Sequence, residues 1–161
     1  MIVRRAEPRD LGAVTAIYNH WVRTSAATFD IDAFTEDERR PWFEEHGDDY
    51  PLLVAERDGE VVGYACLSRF RTKPAYRHTA ETTVYLAEAA RGAGLGTALY
   101  DALVAEAQRL RYHVLVAGIT VPNEASVRLH RRFGFERIGV MHEVGWKFER
   151  WHDVEWFELR L

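Results

Sequence analysis

Glu81 stands in the segment HTAETTVYL, among β-branched and apolar residues that disfavour a charged carboxylate and make it more basic. A carboxylate in that setting is suited to taking a proton from a nucleophile. Further along, Arg91-Gly92-Ala93-Gly94-Leu95-Gly96-Thr97 places three alternating glycines directly before a stretch of helical spacing. Missing side chains at Gly94 and Gly96 would let backbone N–H groups converge on a pyrophosphate, and a helix amino terminus adds partial positive charge. Asn123 opens a third stretch, NEASVRLHRRFGF, as a helix cap. Helical spacing puts Asn123, Ser126, Val127 and His130 on one face of it, with Leu129 and Phe133 turned toward another. An imidazole titrating near neutrality can act as acid or base, and a lone helical histidine can equally be structural.

The glycine turn can be tested against three phosphate-binding patterns. A Walker A loop needs Lys-Ser/Thr after its last glycine, but Gly96 is followed by Thr97 and Ala98. A dinucleotide fingerprint needs glycines at i, i+2 and i+5 after a first strand. Here the spacing is i, i+2, i+4, and several strands come earlier. The pattern Arg/Gln-x-x-Gly-x-Gly/Ala is met in full by Arg91 to Gly96.

These residues need elements to hold them. IVRRA reads as a first strand, and Leu11, Val14, Tyr18 and Trp21 recur at helical spacing after Asp10. TEDERRPWFEEHG opens with Thr35 and carries Glu38 three residues on, a capping-box signature, with Pro41 making that helix short or irregular. PLLVAER and EVVGYACLSRF flank Asp58-Gly59, which suits a tight I′ hairpin turn. Then follow a polar loop, the Glu81 strand, the glycine turn and a helix with Leu95, Leu99, Leu103 and Leu110 along one stripe. HVLVAGI is a strand, the Asn123 stretch a short helix, and the last residues form two strands with a loop. The order β-α-α-β-β-β-α-β-α-β-β predicts an α/β (α+β) domain spanning 1–161, with one mixed sheet flanked by helices.

With 161 residues, 47% of them hydrophobic and 29% charged, the chain is balanced for one globular core. A net charge of −4 gives a nucleic-acid partner no global electrostatic support. Cys66 is the only cysteine, so it forms no internal disulfide and no cysteine-based zinc site. It lies in an apolar strand, where a buried inert thiol is the expected state. MIVRRAEPRD lacks the apolar core of a signal peptide, and VVGYACL is too short to span a bilayer. A cytoplasmic protein without nucleic-acid, membrane or metal partners is the expectation.

The glycine turn and the Asn123 helix together resemble the GNAT superfamily of N-acetyltransferases, whose members hold the coenzyme A pyrophosphate with this turn. The resemblance narrows over nearly the whole chain. YPLLVAERDGEVVGYA, AYRHTAETTVYL, PNEASVRLHRRFGF and WHDVEWF together look like the phosphinothricin and methionine sulfoximine acetyltransferase branch. It implies a mostly antiparallel sheet, with the acetyl-CoA site where the strand at 82–86 meets the helix at 94–110. Backbone groups of Val84, Tyr85 and Leu86 would pair with the pantetheine arm, Arg91 to Thr97 would hold the pyrophosphate, and Asn123 and Ser126 would flank the arm. Glu81 falls at the branch's catalytic glutamate. Many members of the superfamily carry a tyrosine where this chain has His130, as the proton donor to the leaving thiolate.

Acetyl transfer to an amine needs a deprotonated nitrogen, a polarised thioester carbonyl and a stabilised leaving thiolate, and no covalent enzyme intermediate. The acceptor is read from RFRTKPAYRH, which brings Arg69, Arg71, Lys73 and Arg77 to the entrance of the Glu81 strand. In an acidic protein, a cationic rim there suits a substrate with a carboxylate. By the branch resemblance Arg71, Lys73 and Tyr76 hold the amino acid and Phe29 walls the pocket. The expected activity is direct transfer from acetyl-CoA to a small amino acid or analogue. Two rivals remain from sequence: another amine or a peptide amino terminus as acceptor, and a non-catalytic acyl-CoA-binding module. Members of the family often form homodimers.

Overall fold

The computed structural model describes residues 1–161. Its elements run β1 (Ile2–Arg5), α1 (Leu11–Thr24), α2 (Glu36–Glu44), β2 (Leu52–Arg57), β3 (Glu60–Arg69), β4 (Thr79–Leu86), α3 (Leu95–Arg109), β5 (Val114–Val121), α4 (Glu124–Arg132), β6 (Glu136–Lys147) and β7 (Arg150–Arg160). The order is the predicted one, with short 3-10 turns before α1, β4 and α3. Local rules account for the boundaries. Thr35 and Glu38 exchange both capping-box hydrogen bonds at the start of α2. Asp58 and Gly59 take φ of 54° and 82°, as a I′ turn between β2 and β3 demands.

The seven strands lie in the order β1-β2-β3-β4-β5-β7-β6. Every neighbouring pair is antiparallel except β4 and β5. The alternation of side chains along β3 and β4 sorts residues onto two faces. Tyr64 and Cys66 face α1, where they pack with Val14, Ile17, Tyr18 and Val22. Ala65 and Leu67 face α3 and its Leu95, Leu99 and Leu103. Each of those leucines is essentially inaccessible, a burial worth about 1.5–3 kcal/mol apiece. Because Glu81 lies opposite Ser68, it shares the α1 face, while its neighbour Thr82 belongs to the α3 face.

The parallel pair sets up the site. β4 and β5 are in register only from Thr79–Val114 to Glu81–Val116. Beyond that point β4 continues to Leu86 on β3, and β5 continues to Val121 on β7. The two strands therefore diverge, and Glu81 is the last β4 residue paired across the junction.

Candidate active site

The divergence leaves a cavity of about 250 Å³, lined by β4 from Glu81 to Tyr85, β5 from Ala117 to Thr120, and Asn123, Ser126 and His130 of the α4 region. Glu81 is its only carboxylate. Burial pushes the Glu81 carboxyl above its ordinary value, and the nearby positive charge of Arg71 partly opposes that shift. No hydrogen bond from the protein opposes that shift further. Glu81 is thus a half-buried, basic carboxylate at the apex of an open wedge.

From the wedge a groove of about 480 Å³ runs along β4 to the amino terminus of α3. Its lining includes Val84, Tyr85, Leu86, Arg91, Gly92, Gly94, Leu95, Gly96, Thr97, Asn123 and Ser126; of the turn, only Ala93 lies outside it. Gly92 and Gly94 have φ of 81° and 75°, a region that a side chain resists, and Gly94 is the α3 N-cap. Gly96 has a different reason to be glycine. It sits in the first turn of α3, where an added Cβ would lie 3.7 Å from Leu86 and 3.5 Å from Leu129, on the groove floor between β4 and α4. The free N–H groups of the α3 amino terminus face an opening with no acidic side chain along it, which fits a pyrophosphate. Arg128 and Arg132 of α4 add cations that the sequence reading did not include.

Backbone direction refines the role of β4. The Ala87 N–H bonds the Val62 carbonyl of β3. By period-two alternation Tyr85 also turns its backbone groups to β3, while Val84 and Leu86 turn theirs into the wedge. Trp21 Nε1 already donates to the Leu86 carbonyl at 2.8 Å, and Arg91 lies over the Trp21 ring at 5.3 Å. The backbone of Val84 and the Leu86 N–H are left for an extended polar ligand. Tyr85 instead contributes its side chain, whose hydroxyl donates to the Ala27 carbonyl at 3.1 Å.

Asn123 accepts from the Ser126 N–H and caps α4, so capping and groove lining coexist in one side chain. His130 is buried. Its Nδ1 lies 2.7 Å from the Ser126 carbonyl and its Nε2 lies 2.5 Å from the Tyr100 hydroxyl. Tyr100 in turn meets the Thr82 hydroxyl at 2.6 Å. Burial lowers the His130 pKa, with the Ser126 carbonyl partly opposing, which favours the neutral ring. Thr82 and Tyr100 were not singled out from sequence. The available signal was Tyr100 itself, a polar tip beside the leucine stripe of α3.

The acceptor residues are more scattered. Arg71 stacks on Phe70 at 4.8 Å and reaches Glu81 electrostatically. Tyr76 packs edge-on against Phe70, and Lys73 precedes the same 3-10 turn. Phe29 fits against Gly145, where any Cβ would overlap its ring, and lies 6.1 Å from His152. None of these four side chains lines the wedge itself. Of the four only Arg71 is felt at Glu81, and Ala27 and Thr28, next to Phe29 in sequence, supply the nearer wall. The loop carrying Ala27, Thr28 and Phe29 is tied down by Lys147 Nζ, which donates to the Thr28 carbonyl at 2.9 Å. Cys66 is fully buried, and burial pushes its thiol to about 12, the state of an inert core residue. No three His, Cys, Asp or Glu side chains converge as a metal site, and no helix is long and apolar enough to cross a membrane.

A half-buried carboxylate at the apex of splayed strands, with a backbone-lined groove ending on a glycine turn, is the layout of an acyl-CoA-dependent acyltransferase. The chain belongs to the acetyltransferase (GNAT) family, whose model matches residues 14–135. It is 49% identical to a phosphinothricin N-acetyltransferase of Streptomyces coelicolor over 99% of this chain and 95% of that protein. It is 42% identical to an L-methionine sulfoximine/L-methionine sulfone acetyltransferase of Salmonella typhimurium over 100% and 95% of the two chains. The crystal structure of a phosphinothricin acetyltransferase from Sinorhizobium meliloti in complex with acetyl-CoA superposes with a TM-score of 0.96. It is 36% identical and covers 99% of this chain and 88% of that one.

Proposed function

We propose that this protein moves an acetyl group from acetyl-CoA to the amino group of a small amino acid or analogue of the phosphinothricin or methionine sulfoximine type. The observation that carries this reading is the position of Glu81, the one carboxylate in the wedge, at the end of a groove fit for coenzyme A. The pantetheine arm lies along Val84 and Leu86 and the pyrophosphate sits on Gly92 to Thr97. Glu81 takes a proton from the acceptor ammonium, directly or through water, and the freed nitrogen attacks the thioester carbonyl. A β4 N–H pointing into the wedge polarises that carbonyl as negative charge develops.

Arg71, Lys73 and Tyr76 meet the acceptor carboxylate from the rim, and Phe29 closes the opposite wall. A carboxylate-bearing acceptor suits this cationic rim better than a peptide amino terminus, whose carboxyl is tied up in an amide. Turnover of phosphinothricin would confer herbicide resistance without that compound being the natural acceptor.

The chain works in the cytoplasm, where acetyl-CoA and a reduced single thiol are at home. It forms a homodimer through the β6–β7 hairpin. Ile138, Met141, Val144, Trp146, Phe148 and Trp151 are each 45–57% exposed there, a concentration of large apolar side chains that favours a protein partner. Light scattering at micromolar concentration should give twice the 18.6 kDa chain mass, and a monomer would remove this part of the proposal.

The test of the chemistry is Glu81→Gln, assayed by coenzyme A thiol release. Loss of a positioned base lowers kcat by roughly 10²–10⁴-fold. Acetyl-CoA binding should persist. Full turnover in this variant would remove Glu81 as the base, and a wild type that binds coenzyme A but acetylates nothing would favour the binding-module reading.

A further inference from the structure

Both ring nitrogens of His130 are committed, although the ring borders the wedge. The Ser126 carbonyl can only accept, so Nδ1 carries the proton. In a neutral imidazole Nε2 is then an acceptor, and the Tyr100 O–H donates to it. The single Tyr100 proton is thereby committed, so Thr82 is the donor in the 2.6 Å contact between the two hydroxyls. The Val116 carbonyl, 3.4 Å from the same Thr82 oxygen, is the more distant acceptor for that proton. The hydrogen bonds point one way, from Thr82 through Tyr100 to His130. Thr82 also lines the cavity around Glu81, on the α3 face of β4. Thr82, Tyr100 and His130 are 6%, 0% and 3% exposed, so no bulk water competes along the chain.

A short, dry, uniformly oriented chain with one end in the reaction cavity needs a proton to move. Acetyl transfer supplies one. The acceptor enters as an ammonium, and its first proton goes to Glu81. Attack forms the C–N bond and leaves the nitrogen positively charged, with a second proton to lose. Breaking the C–S bond leaves a thiolate that lacks one. Moving the second proton from nitrogen to sulfur completes the balance, giving an amide, a free thiol and one proton on Glu81 for release to solvent.

We propose that Thr82, Tyr100 and His130 form the shuttle for this nitrogen-to-sulfur proton, an assignment that rests on the acetyl-transfer reading above. Thr82 Oγ receives the proton as it passes its own to Tyr100, which passes its own to His130 Nε2. The imidazolium holds the charge while the C–S bond breaks, and the same chain returns the proton to the thiolate. Thr82 is the catalytic residue of the three because it meets the reacting atoms. Tyr100 and His130 act through it. His130 is accordingly a proton store that accepts before it donates, which assigns the proton that the sequence left open.

The experiment compares Tyr100→Phe, which keeps the ring, and Thr82→Val, which keeps the shape, with the wild type in the thiol-release assay. Either change should lower kcat by about 10²-fold, the lower end for a positioned acid–base group, with KM for acetyl-CoA changed by no more than about twofold. In H2O/D2O mixtures the wild-type rate should bow with deuterium content, because several protons move together, and become linear in Tyr100→Phe. Tyr100→Phe combined with His130→Asn should be no slower than His130→Asn alone. Thermal unfolding checks each variant, and Thr82→Val carries the test if Tyr100→Phe does not fold. Wild-type kcat in the single variants, a linear wild-type dependence on deuterium, or losses that multiply would each overturn the shuttle. Glu81→Gln in the same series separates the two readings. Loss there with full activity in Tyr100→Phe sinks the shuttle alone, and the reverse pattern sinks Glu81 as the base while keeping the shuttle.

Discussion

On one side of the splayed strands, the groove toward α3 is lined by the edge of β4, the glycine turn, the start of α3 and one side of α4, with Arg91, Arg128 and Arg132 as its cations. On the other, the residues proposed to hold the acceptor are long side chains on the loops around residues 25–30 and 70–77. The groove meets a ligand with the Val84 and Leu86 edge of β4, the α3 amino terminus and two glycines at positive φ. The proposed rim consists of Phe29, Arg71, Lys73 and Tyr76, of which Phe29 and Tyr76 are 36% and 42% exposed. A backbone site built on a strand and a helix can recognise only what every ligand of the family shares, here a pantetheine pyrophosphate. A loop site can vary without disturbing the sheet, which is why the proposal gives acceptor choice to the loops.

That contrast can be broken from the groove side first. Gly94→Val forces a β-branched residue to a φ of 75°, a strain of about 1–3 kcal/mol that the turn relieves by moving. KM for acetyl-CoA should rise by about tenfold or more, with acceptor KM nearly unchanged. Unaltered acetyl-CoA kinetics would mean that the pyrophosphate lies elsewhere.

On the rim, Arg71→Ala should do the reverse. Loss of one charge-assisted hydrogen bond is worth about 1.5–3 kcal/mol, so acceptor KM should rise about tenfold or more while acetyl-CoA KM holds. The same variant sharpens the assignment of Glu81 through pH. Glu81 works as a carboxylate, so kcat/KM is present above its pKa and lost as pH falls through it. Burial raises that acid limb above the ordinary glutamate range, and Arg71 holds it down, so removing Arg71 moves the limb to higher pH. A limb that stays put or moves down would separate Arg71 from Glu81. The smallest change is expected from Phe29→Ala, which opens the wall by one ring and should raise acceptor KM by only a few-fold, within about 1 kcal/mol, because the ring stands at the rim and not in the wedge.

The same division explains what the sequence could show. Eleven of the twelve residues expected at the cofactor lie in the groove: the turn and the Asn123 cap were legible as local signals, and Val84, Tyr85, Leu86 and Ser126 came from the family resemblance. Glu81 was legible from its strand, but the divergence of β4 from β5 that exposes it depends on a pairing between distant segments. The Thr82–Tyr100–His130 chain spans three elements, and no spacing within one of them announces it. Tyr85 could be placed on the strand, while the direction of its backbone needed the register against β3. The last two strands were expected with a loop between them, whereas the hairpin turns tightly through Phe148 and Glu149 at φ of 53° and 57°. Neither residue is the glycine or asparagine that usually marks such a turn. A bulge at Met141–Gly145 is likewise held by Asp153, which accepts from the Glu143 N–H across the hairpin.

The central claim is an acetyl-CoA-dependent transfer to a carboxylate-bearing amine at Glu81, and one assay addresses it most directly. Coenzyme A thiol release is followed at saturating acetyl-CoA with phosphinothricin, methionine sulfoximine, methionine sulfone, methionine, methionine amide and a methionyl peptide, and each product mass is confirmed. Saturable turnover of one or more free acids, with the amide and the peptide at least about tenfold poorer for want of one charge-assisted contact, is the predicted result. Equal or better turnover of the amide or the peptide would contradict the assignment of the acceptor, and no acetylated product from any of them would contradict the reaction itself.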